Sequence, residues 1–310
     1  MQFMDQHFQT LKPASASRYA LSLKWLSDRF EGKYLDEIDK SGLSAFEDMR
    51  RSSGVTPSTI RRDLACLSSL LTFCEDKDWI EEGKNLVPGY MRRRARRGLK
   101  EGQSRTRWLT HAEEASLLTL SAANRFSKGP LRQAIMLAID TGLREQELFS
   151  LTWPQIDLVN RVITTTKDTK NGRARAVPMQ DRSAQFLAHW KTVNSASSTP
   201  TFYVFAKANS RRYQNLFRGF KALVSKAGIP EVCWHDLRRT AGCRWLQNHG
   251  MKLHQVSVLL GHSSIMVTEK SYAFLDQLQL AKDTATQFPA QSNKDYAKNP
   301  NAVRGLKNDQ

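Results

Sequence analysis

Arg144, Lys170, His235, Arg238, His262 and Tyr272 follow one another along the chain. As residue types they meet the needs of breaking a phosphodiester without water. A nucleophile must attack phosphorus, the charge building on the oxygens must be stabilised, and the leaving 5′ oxygen must receive a proton. Arginine suits the second task, because its planar fork grips phosphate oxygens in pairs and stays charged. Histidine adds hydrogen bonds and moves protons near neutral pH, and lysine can serve as a general acid. Preorganised charge of this kind supplies most of the catalysis in phosphoryl transfer.

Local pattern places these residues on elements that could bring them together. Arg144 follows Thr141-Gly142-Leu143 at an expected helix start, and Glu147 comes three residues later on the same helical face. The spacing of His235 and Arg238 projects both from the start of one helix. Gly261-His262 closes another, and Tyr272 follows it. Lys170 precedes Asn171-Gly172, a hairpin-turn signal that would let a long side chain reach a cleft, and Lys167 lies close by. Each signal is cheap on its own. An Arg–Glu pair is more often structural than catalytic, and a tyrosine after a helix usually packs. The ordered conjunction is what points to chemistry.

The whole chain of 310 residues has a formal net charge of +17, with 47 Lys and Arg against 30 Asp and Glu. That excess calls for a polyanionic partner, nucleic acid before membrane, since no apolar run approaches a bilayer span. The first ten residues contain Asp5 and scattered polar groups, unlike a secretory signal. A soluble, cytoplasmic, nucleoid-associated protein is the expectation. The four cysteines, Cys66, Cys74, Cys233 and Cys243, have neither Cys-x-x-Cys nor zinc-finger spacing, which predicts reduced structural thiols.

The first 91 residues read as a helical domain. Ser17 to Phe30 carries Tyr19, Leu23, Leu26 and Phe30 on one side. Thr56 and Pro57 supply a cap and first-turn proline for a stripe of Ile60, Leu64, Leu67, Leu71 and Cys74. Arg61 and Arg62 fall off that stripe and could face DNA. Residues 92–107 hold Arg92, Arg93, Arg94, Arg96, Arg97, Arg105 and Arg107 against one acid, Glu101, and read as an exposed phosphate-binding linker interrupted by Gly98 and Gly102.

A second domain is expected over residues 108–288. Thr110 and Glu113 form a capping box, and Pro130 opens a helix closed by Gly142. Short β stretches follow near residues 155–158, 162–166 and 173–178, then helices over 236–249 and 253–260, with Gly250 and Gly261 at their ends. The polar tail of residues 289–310 is expected to lack fixed structure. The fold class is therefore mainly α with a small antiparallel sheet, α+β.

With these residues in view, the sequence resembles the tyrosine recombinases, also called phage-type integrases. The matching segments are TGLREQEL (141–148), TKNGRARAVP (169–178), HDLRRT (235–240) and LLGHSS (259–264), followed by Tyr272. The resemblance implies a helical core-binding domain and a catalytic domain that close around DNA. It implies that Arg144 and Arg238 grip the scissile phosphate while His235 and His262 assist, Glu147 holds Arg144, and Lys170 protonates the leaving 5′ oxygen. Tyr272 would form a 3′-phosphotyrosyl link, conserving the ester so that no metal, ATP or other cofactor is needed. Partners implied are double-stranded DNA recombination sites, further copies of the chain as a tetramer on DNA, and accessory DNA-bending or directionality factors.

One departure stands out. Many relatives place the tyrosine nine residues after the Gly-His histidine, whereas Tyr272 lies ten after His262, read as an insertion in the intervening loop. Lys167 could take the acid role, and Tyr296 is the other tyrosine beyond His262. The expected function is integration or excision of a mobile element. The alternatives are a Xer-type chromosome-dimer resolvase and a non-catalytic architectural DNA-binding protein of the same fold.

Overall fold

Apolar residues at helical spacing become the buried faces of long helices. The computed structural model describes residues 2–97, 99, 105–123, 130–166, 174–197, 200–229 and 231–275. The chain divides into two compact units, Met1–Ser104 and Arg105–Gln310. Lys167, Lys170, the Asn171-Gly172 turn, Tyr296 and the tail of residues 289–310 lie outside the described residues.

The first unit contains α1 (Gln2–Thr10), α2 (Pro13–Phe30), α3 (Lys40–Ser52), α4 (Pro57–Glu75) and α5 (Val87–Arg97). Ile60, Leu64, Leu67, Leu71 and Cys74 of α4 are buried as the stripe predicts, against Leu26, Leu43, Phe46 and Tyr90. Thr56 is the residue before α4, but its hydroxyl bonds Ser58 and Thr59 side chains, so the expected cap hydrogen bond is not made. Residues 92–97, the start of the expected linker, instead form the last turns of α5. Arginine is a good helix former, and no glycine intervenes before Gly98.

Two buried carboxylates organise this unit. Asp63 accepts from Arg18 at 2.7 Å, Arg50 at 3.1 Å and Ser22 at 2.8 Å. Glu47 accepts from Arg51, Arg94 and Tyr90 at 2.7–2.9 Å. Burial alone would raise the Glu47 pKa, but the hydrogen bonds from Arg94, Tyr90 and Arg51 hold it at about 2.

The second unit opens with α6 (His111–Ala123), α7 (Leu131–Thr141) and α8 (Glu145–Phe149). The capping box forms: Thr110 N donates to Glu113 Oε2 at 2.8 Å, and Glu113 N to Thr110 Oγ1 at 3.2 Å. Next come β1 (Ile156–Asp157), β2 (Val162–Thr165) and β3 (Arg175–Pro178), an antiparallel sheet in sequence order. Ile163 pairs with Val177 and both are fully buried. The helices α9 (Asp181–Ser195), α10 (Phe217–Lys226), α11 (Trp234–Gln247) and α12 (Leu253–Leu260) follow. A last helix, α13, covers residues 265–275.

The fold is thus mainly helical with a small antiparallel sheet. Helix α7 is its central strut, with residues 134–141 buried and α11 packed along it. Gly142 ends α7 in the left-handed region at φ +59°, and a Cβ there would stand 2.9 Å from the Leu260 side chain. That glycine permits both the turn and the close approach of α12. All four cysteines are free thiols, and Cys66, Cys74 and Cys243 are buried.

Candidate active site

The carboxyl end of α12 is the centre of the site. The last carbonyls of any helix lack intrahelical partners and form its negative pole. Here three consecutive carbonyls each accept from a different arginine. Arg175 Nε of β3 donates to Leu259 O at 2.7 Å, Arg238 Nη2 of α11 donates to Leu260 O, and Arg144 Nη2 donates to Gly261 O at 2.9 Å. Arg144 is the residue before α8 and Arg238 lies inside α11, so widely separated segments meet at one helix end.

Glu147 ties two of these arginines together. It accepts from Arg144 Nη1 and from the Arg144 main-chain N–H, both at 2.8 Å, and from Arg175 at 3.0 and 2.6 Å. Burial would raise its pKa, but the Arg175 and Arg144 bonds and charges hold it at about 2, so it is ionised at neutral pH. Arg238 is 4% exposed and donates its remaining bond to Gly142 O at 2.6 Å, again a main-chain carbonyl. Burial and the neighbouring Arg144 and Arg175 charges lower its pKa.

His262 follows Gly261, the residue that ends α12, and its Nδ1 bonds Thr268 Oγ1 at 2.6 Å. Burial, with the charges of Arg238 and Arg144, lowers its pKa to about 4, leaving it neutral at pH 7. His235 stands exposed at the rim, yet the protein around it and the Arg238 and Arg239 charges lower its pKa too. The start of α11, which carries His235 and Arg238, is held by buried Asp236. That carboxylate accepts from Cys233 N at 2.8 Å, from Arg239 at 3.2 Å and from Arg105 at 3.2 Å.

Tyr272 lies on α13, so helix rather than loop fills most of the interval from His262, where the insertion was expected. It is 4% exposed, and a Cβ placed on Gly242 of α11 would overlap its hydroxyl. Burial raises its pKa, against the pull of Arg238 and Arg239. The hydroxyl is therefore protonated at neutral pH and seated against α11. A cleft of about 900 Å³ opens beside Arg144 and His235, walled by Gln155, Thr165, Tyr203 and Arg212.

Among the described residues, the guanidiniums of Arg144 and Arg175 share the carboxylate of Glu147, while that of Arg238 faces main-chain carbonyls. A buried cation facing only main-chain carbonyls is costly unless an anion completes its shell. The arrangement is built to receive a negatively charged group. Its amino-acid pattern settles the family: the pattern described as the Phage integrase family matches residues 107–278, more than half the chain.

The chain belongs to the phage integrase family. Among curated relatives of this recombinase family, the shufflon-specific DNA recombinase of Escherichia coli is 27% identical over 253 residues. That match spans 79% of this chain and 60% of the relative. The integrase of Escherichia phage P2 is 28% identical over 232 residues, 75% of this chain and 60% of that protein. The chain thus spans about 60% of the length of these relatives. Among solved structures, the Tn1549 transposon integrase in complex with transposon right end DNA superposes with a TM-score of 0.69 at 20% identity. It covers 90% of this chain and 97% of its own. A lambda integrase dimer bound to a core site gives 0.66 at 16% identity, covering 86% of this chain and 96% of that one. These likenesses establish the fold.

Of the residues expected from sequence, Arg144, Glu147, His235, Arg238, His262 and Tyr272 gather around the ends of α11 and α12. Arg175 was missed, although it stands in the TKNGRARAVP segment. Its one visible signal was a further arginine beyond the turn on a strand. Among the arginines expected to contact DNA, Arg62, Arg92 and Arg93 are exposed and Arg61 is half-buried. Arg94 is instead committed to Glu47, Arg107 to Glu113 at 3.1 Å, and Arg105 to Asp236. Carboxylates within hydrogen-bond reach, buried at Glu47 and Asp236 and half-buried at Glu113, compete for these guanidiniums, which a count of charges does not reveal.

Proposed function

We propose that this protein is a site-specific DNA recombinase that cuts and rejoins strands through a 3′-phosphotyrosyl intermediate, integrating or excising a mobile element. The observation that carries the proposal is the excess of guanidinium at the α12 end, beside two neutral imidazoles and a buried tyrosine. A phosphodiester supplies the missing anion. Arg144 and Arg238 hold its non-bridging oxygens, and His262, fixed by Thr268, hydrogen-bonds it through the other ring nitrogen.

The Tyr272 oxygen attacks phosphorus, forming a Tyr–O–P bond while the P–O5′ bond breaks. Neutral His235 accepts the phenolic proton. The departing 5′ oxygen takes a proton from Lys170, with Lys167 as the alternative donor. Rejoining reverses these transfers with a 5′ hydroxyl from another strand. Because one ester replaces another, the exchange needs no ATP. Tyr272 must leave its seat on Gly242 to reach the phosphate.

The helical domain at residues 1–91 and the basic segment at 92–107 bind duplex DNA, through Arg61, Arg62, Arg92, Arg93, Arg96 and Arg97. The catalytic domain occupies residues 108–288. Copies assemble as a tetramer on paired sites, helped by accessory DNA-bending or directionality factors, and the protein works in the cytoplasm on the nucleoid. Relatives named as a phage integrase and a shufflon-specific recombinase favour the mobile-element reading, and relatives named tyrosine recombinase XerA and XerC make a chromosome-dimer resolvase the second reading.

The test is covalent trapping in EDTA, with nicked duplexes tiled across the DNA flanking the gene. An adduct whose peptide maps to Tyr272 is expected. Tight, specific binding without any adduct would instead identify a non-catalytic DNA-binding protein. Sedimentation on paired sites that yields only monomers would overturn the tetramer.

A further inference from the structure

Arg144 and Arg238 have a reason to be arginine, since each has donors left to turn towards a phosphate. Arg175 does not fit that role. Its side chain is 6% exposed, and every nitrogen of its fork is engaged. Nε donates to Leu259 O at 2.7 Å, while Nη1 and Nη2 grip the two Glu147 oxygens at 3.0 and 2.6 Å. Its backbone is fixed as well: Arg175 pairs with Thr165 across β2 and β3, and its N–H donates to Thr165 Oγ1 at 3.1 Å. Gly261 leaves the space it occupies, because a Cβ there would lie 3.0 Å from the Arg175 side chain.

The consequence is a chain of constraint. Strand β3 fixes Arg175, Arg175 fixes Glu147 and the end of α12, and these fix Arg144 and the turn leading into His262. We propose that Arg175 is a positioning residue for strand cleavage, an inference that rests on the recombinase reading above. It aligns Arg144 and His262 through Glu147 and the Leu259 carbonyl without touching DNA. Lysine cannot replace it, because one ammonium on a flexible stem does not satisfy three acceptors in a plane.

The full-length protein decides the matter, with Arg175→Gln, Arg175→Lys, Glu147→Gln and the double Glu147→Gln, Arg175→Gln variant. DNA affinity and the single-turnover rate of covalent attachment at saturating DNA are measured on the nicked duplex that traps the parent. Both Arg175 variants are expected to bind within about threefold of the parent yet attach at least roughly tenfold more slowly. The double variant should be no slower than the slower single one, because both substitutions break one linkage. Should Arg175→Gln fail to fold, Arg175→Lys, which keeps the charge, carries the test.

Attachment by Arg175→Lys within about twofold of the parent rate overturns the proposal, as charge alone would then suffice. So does a defect that higher DNA concentration repairs, which would make Arg175 a binding residue. Full multiplication of the two single defects in the double variant does the same. If the parent itself forms no adduct, the recombinase reading falls and takes this inference with it. A normal parent with normal Arg175 variants removes this inference alone.

Discussion

The hydroxyl of Tyr272 on α13 lies directly against Gly242 of α11, leaving no room for a methyl group between them. Gly242→Ala therefore forces one of the two helices to give way. Overpacking of this kind costs about 1–3 kcal/mol, partly offset by the better helix propensity of alanine, roughly 1 kcal/mol. Denaturant unfolding should show a net loss of stability. Spectrophotometric titration should show a tyrosine ionising closer to its ordinary range than in the parent. A variant as stable as the parent, with no change in tyrosine titration, would contradict this packing.

Tyr272→Phe keeps the ring and removes only the oxygen. DNA affinity should stay within about twofold of the parent, while covalent attachment disappears. A persisting adduct would move the nucleophile elsewhere, with Tyr296 the first residue to check by peptide mapping.

Glu147 has a definite pH signature. Its pKa falls from 4.5 to about 2 on folding, so the folded state favours the ionised form. A depressed carboxylate contributes stability that is present above its unfolded pKa and lost as pH falls through its folded pKa. The window here is pH 4.5 to 2, and the contribution is on the order of 3 kcal/mol. Glu47 has the same window in the first unit. Glu147→Gln should flatten acid unfolding of the second unit in that range, measured by urea titrations at successive pH values.

His262 should titrate near pH 4 in the free protein, since burial and the surrounding arginines disfavour its charged form. A bound phosphate reverses part of that field, so its midpoint should rise when DNA is added. Histidine NMR titration with and without duplex DNA checks this. An unchanged midpoint would place the phosphate away from His262.

The arginines of α5 should divide by their contacts. Replacing exposed Arg92 and Arg93 with glutamine should weaken DNA binding and reduce the salt slope by about one unit per lost phosphate contact. Stability should barely move. Arg94→Gln removes one holder of buried Glu47 and should cost about 1–3 kcal/mol, read by thermal or urea unfolding. If Arg94 alone altered DNA affinity, the assignment would be inverted.

The elements legible in the sequence were those set by neighbours. Ile60, Leu64, Leu67 and Leu71 revealed α4 because burial follows the helical period, and Thr110 with Glu113 marked the start of α6 because a capping box is local. Gly142 and Gly261 showed where α7 and α12 stop, since both need left-handed backbone. The contacts of Arg175 with Glu147 and Leu259 span 28 and 84 residues, and no local spacing encodes them. Helix α13 is hidden in the sequence because its exposed Ile265, Met266 and Val267 break the amphipathic pattern. The diversion of Arg94 to Glu47 was hidden for the same reason as Arg175, a partner 47 residues away.

The arginine cluster leans on main-chain oxygens of residues 259–261, and that shapes how the site tolerates mutation. No substitution at Leu259 or Leu260 deletes a carbonyl acceptor, although at fully buried Leu260 a change of side chain can shift the backbone that carries it. Drift at that helix end is restrained by shape alone, most tightly at Gly261 with its φ of +63°. The donors have no such insurance: each arginine is one codon change from losing its hold. Damage to this site should therefore come from loss of the donors on the strand and helices facing α12, or from repacking of the buried Val256 and Leu260 that seat α12.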